Sequence, residues 1–184
     1  MVEIGPTPAI RSRPTLGGRL DAIARACVPV ALTLVLVLAA GAPLGLPGQA
    51  ALRPALALIC VFHYSLARPA AMPALAVFAI GLLSDLLGWL PIGIGAVTLL
   101  GARVAALRLR PVLAGHGIGL VWIAFVGTAI AVGTATWVLA SLLSWRVLPT
   151  GPVLLATLFA VALHPSLALL FGRTGRGIAA PEGA

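Results

Sequence analysis

The sequence contains no lysine and only four acidic residues among 184. Charged residues make up 9% of it, against about 25% in a typical soluble domain, which excludes an ordinary water-soluble fold. Three of the acids, Glu3, Asp21 and Glu182, lie in the terminal segments, so Asp85 stands alone inside the hydrophobic body. The two cysteines, Cys27 and Cys60, fall in apolar stretches without CxxC spacing. They are expected to be small buried hydrophobes, and metal or redox chemistry finds no support. No HExxH or GxSxG pattern occurs. The phosphate-binding motifs are also missing, so the chain is not expected to power transport by itself. No cofactor is expected. Residues 1–26 are polar and interrupted by Pro6, Pro8 and Pro14, and no small-residue cleavage site follows promptly, so a cleavable leader is not expected.

What is present is hydrophobic sequence, 61% of the chain, with a mean hydropathy of +1.14. A membrane span needs about 20 apolar residues. The chain therefore has room for six, and six apolar runs can be drawn: 27–46, 53–67, 72–90, 91–107, 117–145 and 149–171. Residues 16–26 read as a short interfacial helix before the first run. Arg53-Pro54 is expected to open the second run, Arg68-Pro69 to break after it, and Pro91 to close the third and start the fourth. The expected organisation is a cytoplasmic segment 1–26, a six-helix transmembrane domain 27–171 and a cytoplasmic tail 172–184.

All twelve basic residues are arginines, and the net charge is +8. They sit at segment ends rather than along a groove, which marks topology and not a phosphate-binding surface, so no nucleic-acid partner is expected. With the N-terminus inside, alternate sides collect Arg11, Arg13, Arg19, Arg25, Arg68, Arg103, Arg108, Arg110, Arg173 and Arg176 against Arg53 and Arg146 alone. That asymmetry predicts six spans with both termini in the cytoplasm.

A carboxylate at a helix centre in lipid costs about 2.5–3.5 kcal/mol or more, so Asp85 needs a partner. The topology places it toward the periplasmic end of the third span. Arg53 and Arg146 share that side, and the fourth helix begins nearby, offering free N–H groups to an anion. Asp85 is therefore expected to pin the hairpin of the third and fourth spans through that helix start or through Arg53. Gly93-Ile94-Gly95 reads as a turn or a loosening of packing at the same point. The other titratable residues in apolar runs are His63 and His164, with His116 in a loop. His164 precedes Pro165 and is expected to donate to a carbonyl freed by the proline. In the fifth run Gly127, Ala131 and Ala135 share one helical face and Ala129 and Gly133 a neighbouring one. Such faces serve close packing within the chain or against a partner's helix.

Arg53-Pro54, an apolar span with Tyr64, Arg68-Pro69, Gly81-Leu82-Leu83-Ser84-Asp85 and Pro91-Ile92-Gly93 resemble, in order and spacing, the rod shape-determining protein MreD family over residues 50–105. The chain departs from that pattern at Ala55, where the family often carries an acid. The resemblance implies an all-α polytopic inner-membrane protein, similar in fold to the substrate-binding subunits of energy-coupling-factor vitamin transporters. It also implies a non-catalytic scaffold of the bacterial elongation machinery, in association with an MreC-like bitopic protein, the actin-like MreB, the RodA glycosyltransferase and a penicillin-binding transpeptidase. Two other readings remain open. One is a small-molecule-binding subunit of a transporter, with Ser84, Asp85, Trp89, Arg53, Trp145 and Arg146 near its mouth. The other is an intramembrane enzyme built on His63, Asp85 and His164.

Overall fold

The computed structural model describes residues 16–42, 45, 48–88, 90–113 and 117–178. It contains six α-helices and one short 3-10 turn, and no strand occurs among the described residues. The helices are α1 (Leu16–Ala39), α2 (Gln49–Ala67), α3 (Ala74–Leu86), α4 (Ile94–Leu113), α5 (Ile118–Leu143) and α6 (Gly151–Ile178), with the turn at Pro69–Ala71. Residues 1–15, which include Arg11 and Arg13, together with Trp89 and His116, lie outside the described residues.

Each apolar run corresponds to one helix, but several boundaries move. The interfacial helix and the first run are one continuous helix, α1, with Pro29 inside it. Arg53-Pro54 does not open α2; the helix starts at Gln49, after Gly48 at φ 79°, a left-handed conformation that glycine adopts without steric cost. Pro91 does not start α4. The chain turns through Gly93 at φ 103°, and the helix begins only at Ile94. The break at Arg68-Pro69 is where it was expected. Arg68 caps α2, and Pro69 opens the 3-10 turn.

The core is built around α2, which packs against α1, α4 and α6. From Ala57 to Phe62 every residue of α2 is buried, as in a helix surrounded on all sides. Val37, Ile80, Leu99, Ala102, Phe125 and Ala160 close around it. α5 and α6 form an outer layer whose large side chains point away from the bundle, including Ile123, Ile130, Leu142, Leu154 and Leu158.

Among the described residues three helices are long and apolar enough to cross a membrane: α2, α5 and the Gly151–Phe171 part of α6. Helix α3, with 13 residues, reaches about 20 Å at 1.5 Å per residue, short of a hydrocarbon core about 30 Å thick. Helix α4 is long enough but carries Arg103, Arg108 and Arg110.

Candidate functional site

Helices α3 and α4 pack closely along the hairpin, and glycine allows the approach. A Cβ at Gly81 would fall 2.6 Å from the Ala96 backbone nitrogen and 2.8 Å from the Gly95 carbonyl carbon. A Cβ at Gly95 would lie 3.1 Å from the Asp85 carboxyl carbon and closer still to its Oδ1. Gly81 thus admits the α4 backbone, and Gly95 admits the Asp85 side chain.

Asp85 is 5% exposed, and it reaches across the hairpin. The Gly93 backbone N–H donates to its Oδ2 at 2.8 Å, and that of Gly95 donates to Oδ1 and Oδ2 at 2.9 and 3.0 Å. These are amides that the start of α4 leaves without a helical partner. The acid caps the helix from a neighbouring element, doing what an N-cap side chain does from within, and it lies where the helix dipole favours negative charge.

Arg53, the other expected partner, goes elsewhere. Its Nη1 donates to the Leu87 carbonyl at the C-terminal end of α3, where left-over carbonyls favour a cation. Its Nε is buried without a hydrogen-bond partner. No ion pair joins Asp85 to an arginine among the described residues. Both charges answer to helix ends instead: the acid to the start of α4, the base to the end of α3.

The opposite end of the hairpin has its own clamp. Arg103 Nε donates to the Met72 carbonyl at 2.9 Å, tying the middle of α4 to the residue that follows the 3-10 turn. Sequence reasoning counted Arg103 only as a topology signal. Gly95 is legible in the sequence only as a turn or a loosening of packing, and Ala96 and the Arg103–Met72 contact leave no local signal. The Gly93-Ile94-Gly95 spacing was the visible signal for the first of these, and its meaning depends on Asp85 lying opposite.

Beside the turn lies a cavity of about 280 Å³, walled by parts of α2, α3, α4, α5 and α6 together with the α3–α4 turn. Arg53, Pro54, Ser84 and Asp85 line it at one end, and Leu58, Leu99 and Ala129 line it elsewhere. Ala55 is buried in the same wall.

The other expected residues are distributed as follows. Of the two small-residue faces on α5, the inner one is Ala129 and Gly133. Ala129 is in the core, and a Cβ at Gly133 would meet Thr157 of α6 at 2.6 Å. Gly127, Ala131 and Ala135 are exposed, and a Cβ at Gly127 meets nothing. That face therefore does not pack against other described residues. Cys60 is buried as expected, but Cys27 is exposed.

His164 is 1% exposed and stacks on Phe125 with ring centroids 4.0 Å apart. Neither of its nitrogens has a hydrogen-bond partner, so the expected bond to a carbonyl is not made. His63 packs instead against the rings of Tyr64 and Phe171. Among the described residues no three of His, Cys, Asp and Glu come together as a metal site, and the trio of His63, Asp85 and His164 is not assembled.

Trp145 sits at φ 51° and is 94% exposed. Its N–H donates to the Leu142 carbonyl at 3.3 Å, and that of Arg146 donates to the Ser141 carbonyl at 3.2 Å. This is the Schellman pattern of a helix C-terminus, with tryptophan at the position that glycine usually fills.

No protein-family model, curated protein or solved structure matches the chain.

Proposed function

We propose that this chain is a non-catalytic scaffold of the bacterial inner membrane, of the MreD type. In this reading it crosses the membrane six times with both termini in the cytoplasm, binds an MreC-like bitopic protein and helps to organise peptidoglycan synthesis alongside MreB, RodA and a penicillin-binding transpeptidase. The carrying observation is the convergence of the resembling residues on one structural unit. Gly81, Asp85 and Gly93 make the α3–α4 clamp, and Arg53 caps its α3 end. The oxygens of Asp85 are occupied by backbone amides, which suits a residue that shapes a hairpin better than one that moves a proton. The outward small-residue face of α5 supports a partner's transmembrane helix as the binding element.

The experiment is co-purification with the MreC-like protein of the same genome. Gly127→Leu and Ala131→Leu are expected to abolish pairing while leaving the bundle folded, because both positions are exposed. If pairing survives both, the interface is not on α5. If the wild-type chain does not pair at all, the elongation reading fails.

The cavity favours a second reading, a small-molecule-binding subunit of a transporter with a fold similar to the energy-coupling-factor vitamin subunits. Its volume of about 280 Å³ lies just below the ~300–1,000 Å³ of sites for drug-sized ligands, which weighs against a large vitamin. A vitamin retained through purification of the wild-type protein would favour this reading over the scaffold.

A further inference from the structure

The cavity beside the α3–α4 turn is apolar in depth and has one cation in its wall. Ala57, Leu58, Leu99 and Ala129 are buried apolar side chains that line it. The hydroxyls of Ser84, Thr98, Thr136 and Thr157 each donate to the carbonyl four residues back on their own helix. The Trp137 indole N–H is held by the Leu148 carbonyl. The oxygens of Asp85 are turned to the α4 amides. Arg53 is the one cation among these lining side chains; its Nη1 donates to the Leu87 carbonyl, and its Nε is buried beside Gly41 without a hydrogen-bond partner. Pro54, Gly88, Pro149 and Pro152 are exposed lining residues, so the space reaches the surface at the end of the bundle where Arg53 lies.

A narrow apolar space with one cation near its opening matches an amphiphile. We propose that the cavity holds the hydrocarbon chain of an anionic membrane lipid, with the acidic head group against the Arg53 guanidinium. The chain buries apolar area as a side chain does, and the head supplies an anion that the arginine cation attracts and can hydrogen-bond. The inference needs the protein to lie in a membrane but does not need the elongation reading.

The test reconstitutes the full chain in vesicles of equal phosphatidylglycerol and phosphatidylcholine, extracts it in mild detergent and counts retained lipid by native mass spectrometry. Phosphatidylglycerol is expected in about tenfold excess on the protein, the ratio that ~1.4 kcal/mol gives. Arg53→Gln is expected to bring that ratio near one. Ala129→Leu and Ala156→Leu narrow the cavity and are expected to lower retention of either lipid with helicity unchanged; if Ala129→Leu does not fold, Ala156→Leu, at a half-buried position, carries the test. Equal retention of the two lipids by the wild type, an unchanged ratio in Arg53→Gln, or retention unaffected by the cavity-narrowing variants each overturns the proposal. Lipid retention without MreC-like pairing sinks the elongation reading and supports this one, and pairing without selective retention overturns this one alone.

Discussion

The Asp85 carboxylate and the Gly95 amide meet across the α3–α4 hairpin, with Gly95 N–H donating to both carboxylate oxygens at 2.9 and 3.0 Å. Two features make the contact possible. Gly81 brings the helices together, and Gly95 has no side chain where the carboxylate lies. An acid that is expensive in lipid is thereby turned toward amides that also need a partner, and each group offsets the other's desolvation.

Replacing Asp85 removes acceptors from buried amides. Asp85→Ala is expected to destabilise the protein by about 1.5–3 kcal/mol, the range for hydrogen bonds to charged groups. Asp85→Asn should lose less, since its amide oxygen still accepts. Thermal unfolding in detergent gives the ranking, and hydrogen exchange at Gly93 and Gly95 should accelerate in Asp85→Ala. Unchanged exchange at both amides would show that the carboxylate does not cap α4.

The hairpin should discriminate sharply between glycines. Gly81→Ala puts a methyl into the α4 backbone, which has no flexible end to move aside, and a loss of about 1–3 kcal/mol follows from overpacking. Gly101→Ala, in the middle of α4 with open space at its Cβ, should gain about 0.5–1 kcal/mol from helix propensity. Thermal melts of the two variants side by side decide this. Equal effects would mean that the close approach at Gly81 is not a constraint.

Arg103 should act as an independent clamp. Arg103→Gln loses the bond to the Met72 carbonyl, and its cost should add to that of Asp85→Ala, because the two lie at opposite ends of the hairpin and distant sites are additive. A double variant much more stable than the sum of the single losses would show that the two ends are coupled.

Trp145 occupies a glycine position. Trp145→Gly relieves a left-handed strain of about 1–2 kcal/mol, so the C-terminal turn of α5 should become more resistant to hydrogen exchange. Tryptophan is favoured at membrane interfaces, so the same variant should bind the head-group layer less firmly, read as reduced quenching of the remaining tryptophans by lipid labelled at head-group depth. If the wild-type Trp145 is not quenched at that depth, it is not an interface anchor.

The helical elements were largely legible in the sequence because their signals are local. Apolar run length and Arg68-Pro69 act on the backbone within a turn or so of where they stand. The errors arose where a local signal admits two outcomes. Pro91 suits a first helical turn, yet Gly93 at φ 103° delays the helix to Ile94. The two small-residue faces of α5 are equivalent as sequence, and only the position of α6 decides that Gly133 is packed and Gly127 is not.

Sequence alone established a strongly apolar chain with runs of helix length and one acid in its hydrophobic body, because hydropathy, run length and the placement of charges are local properties of the residues. It also narrowed the partners of Asp85 to a helix start or an arginine. Only the tertiary structure chose between them. That choice turns on the distance between two backbones, which the absence of side-chain atoms at Gly81 and Gly95 brings within reach of a single carboxylate. The cavity and the unpaired Nε of Arg53 are tertiary in the same way, since the walls come from distant parts of the chain and no local pattern records the space between them.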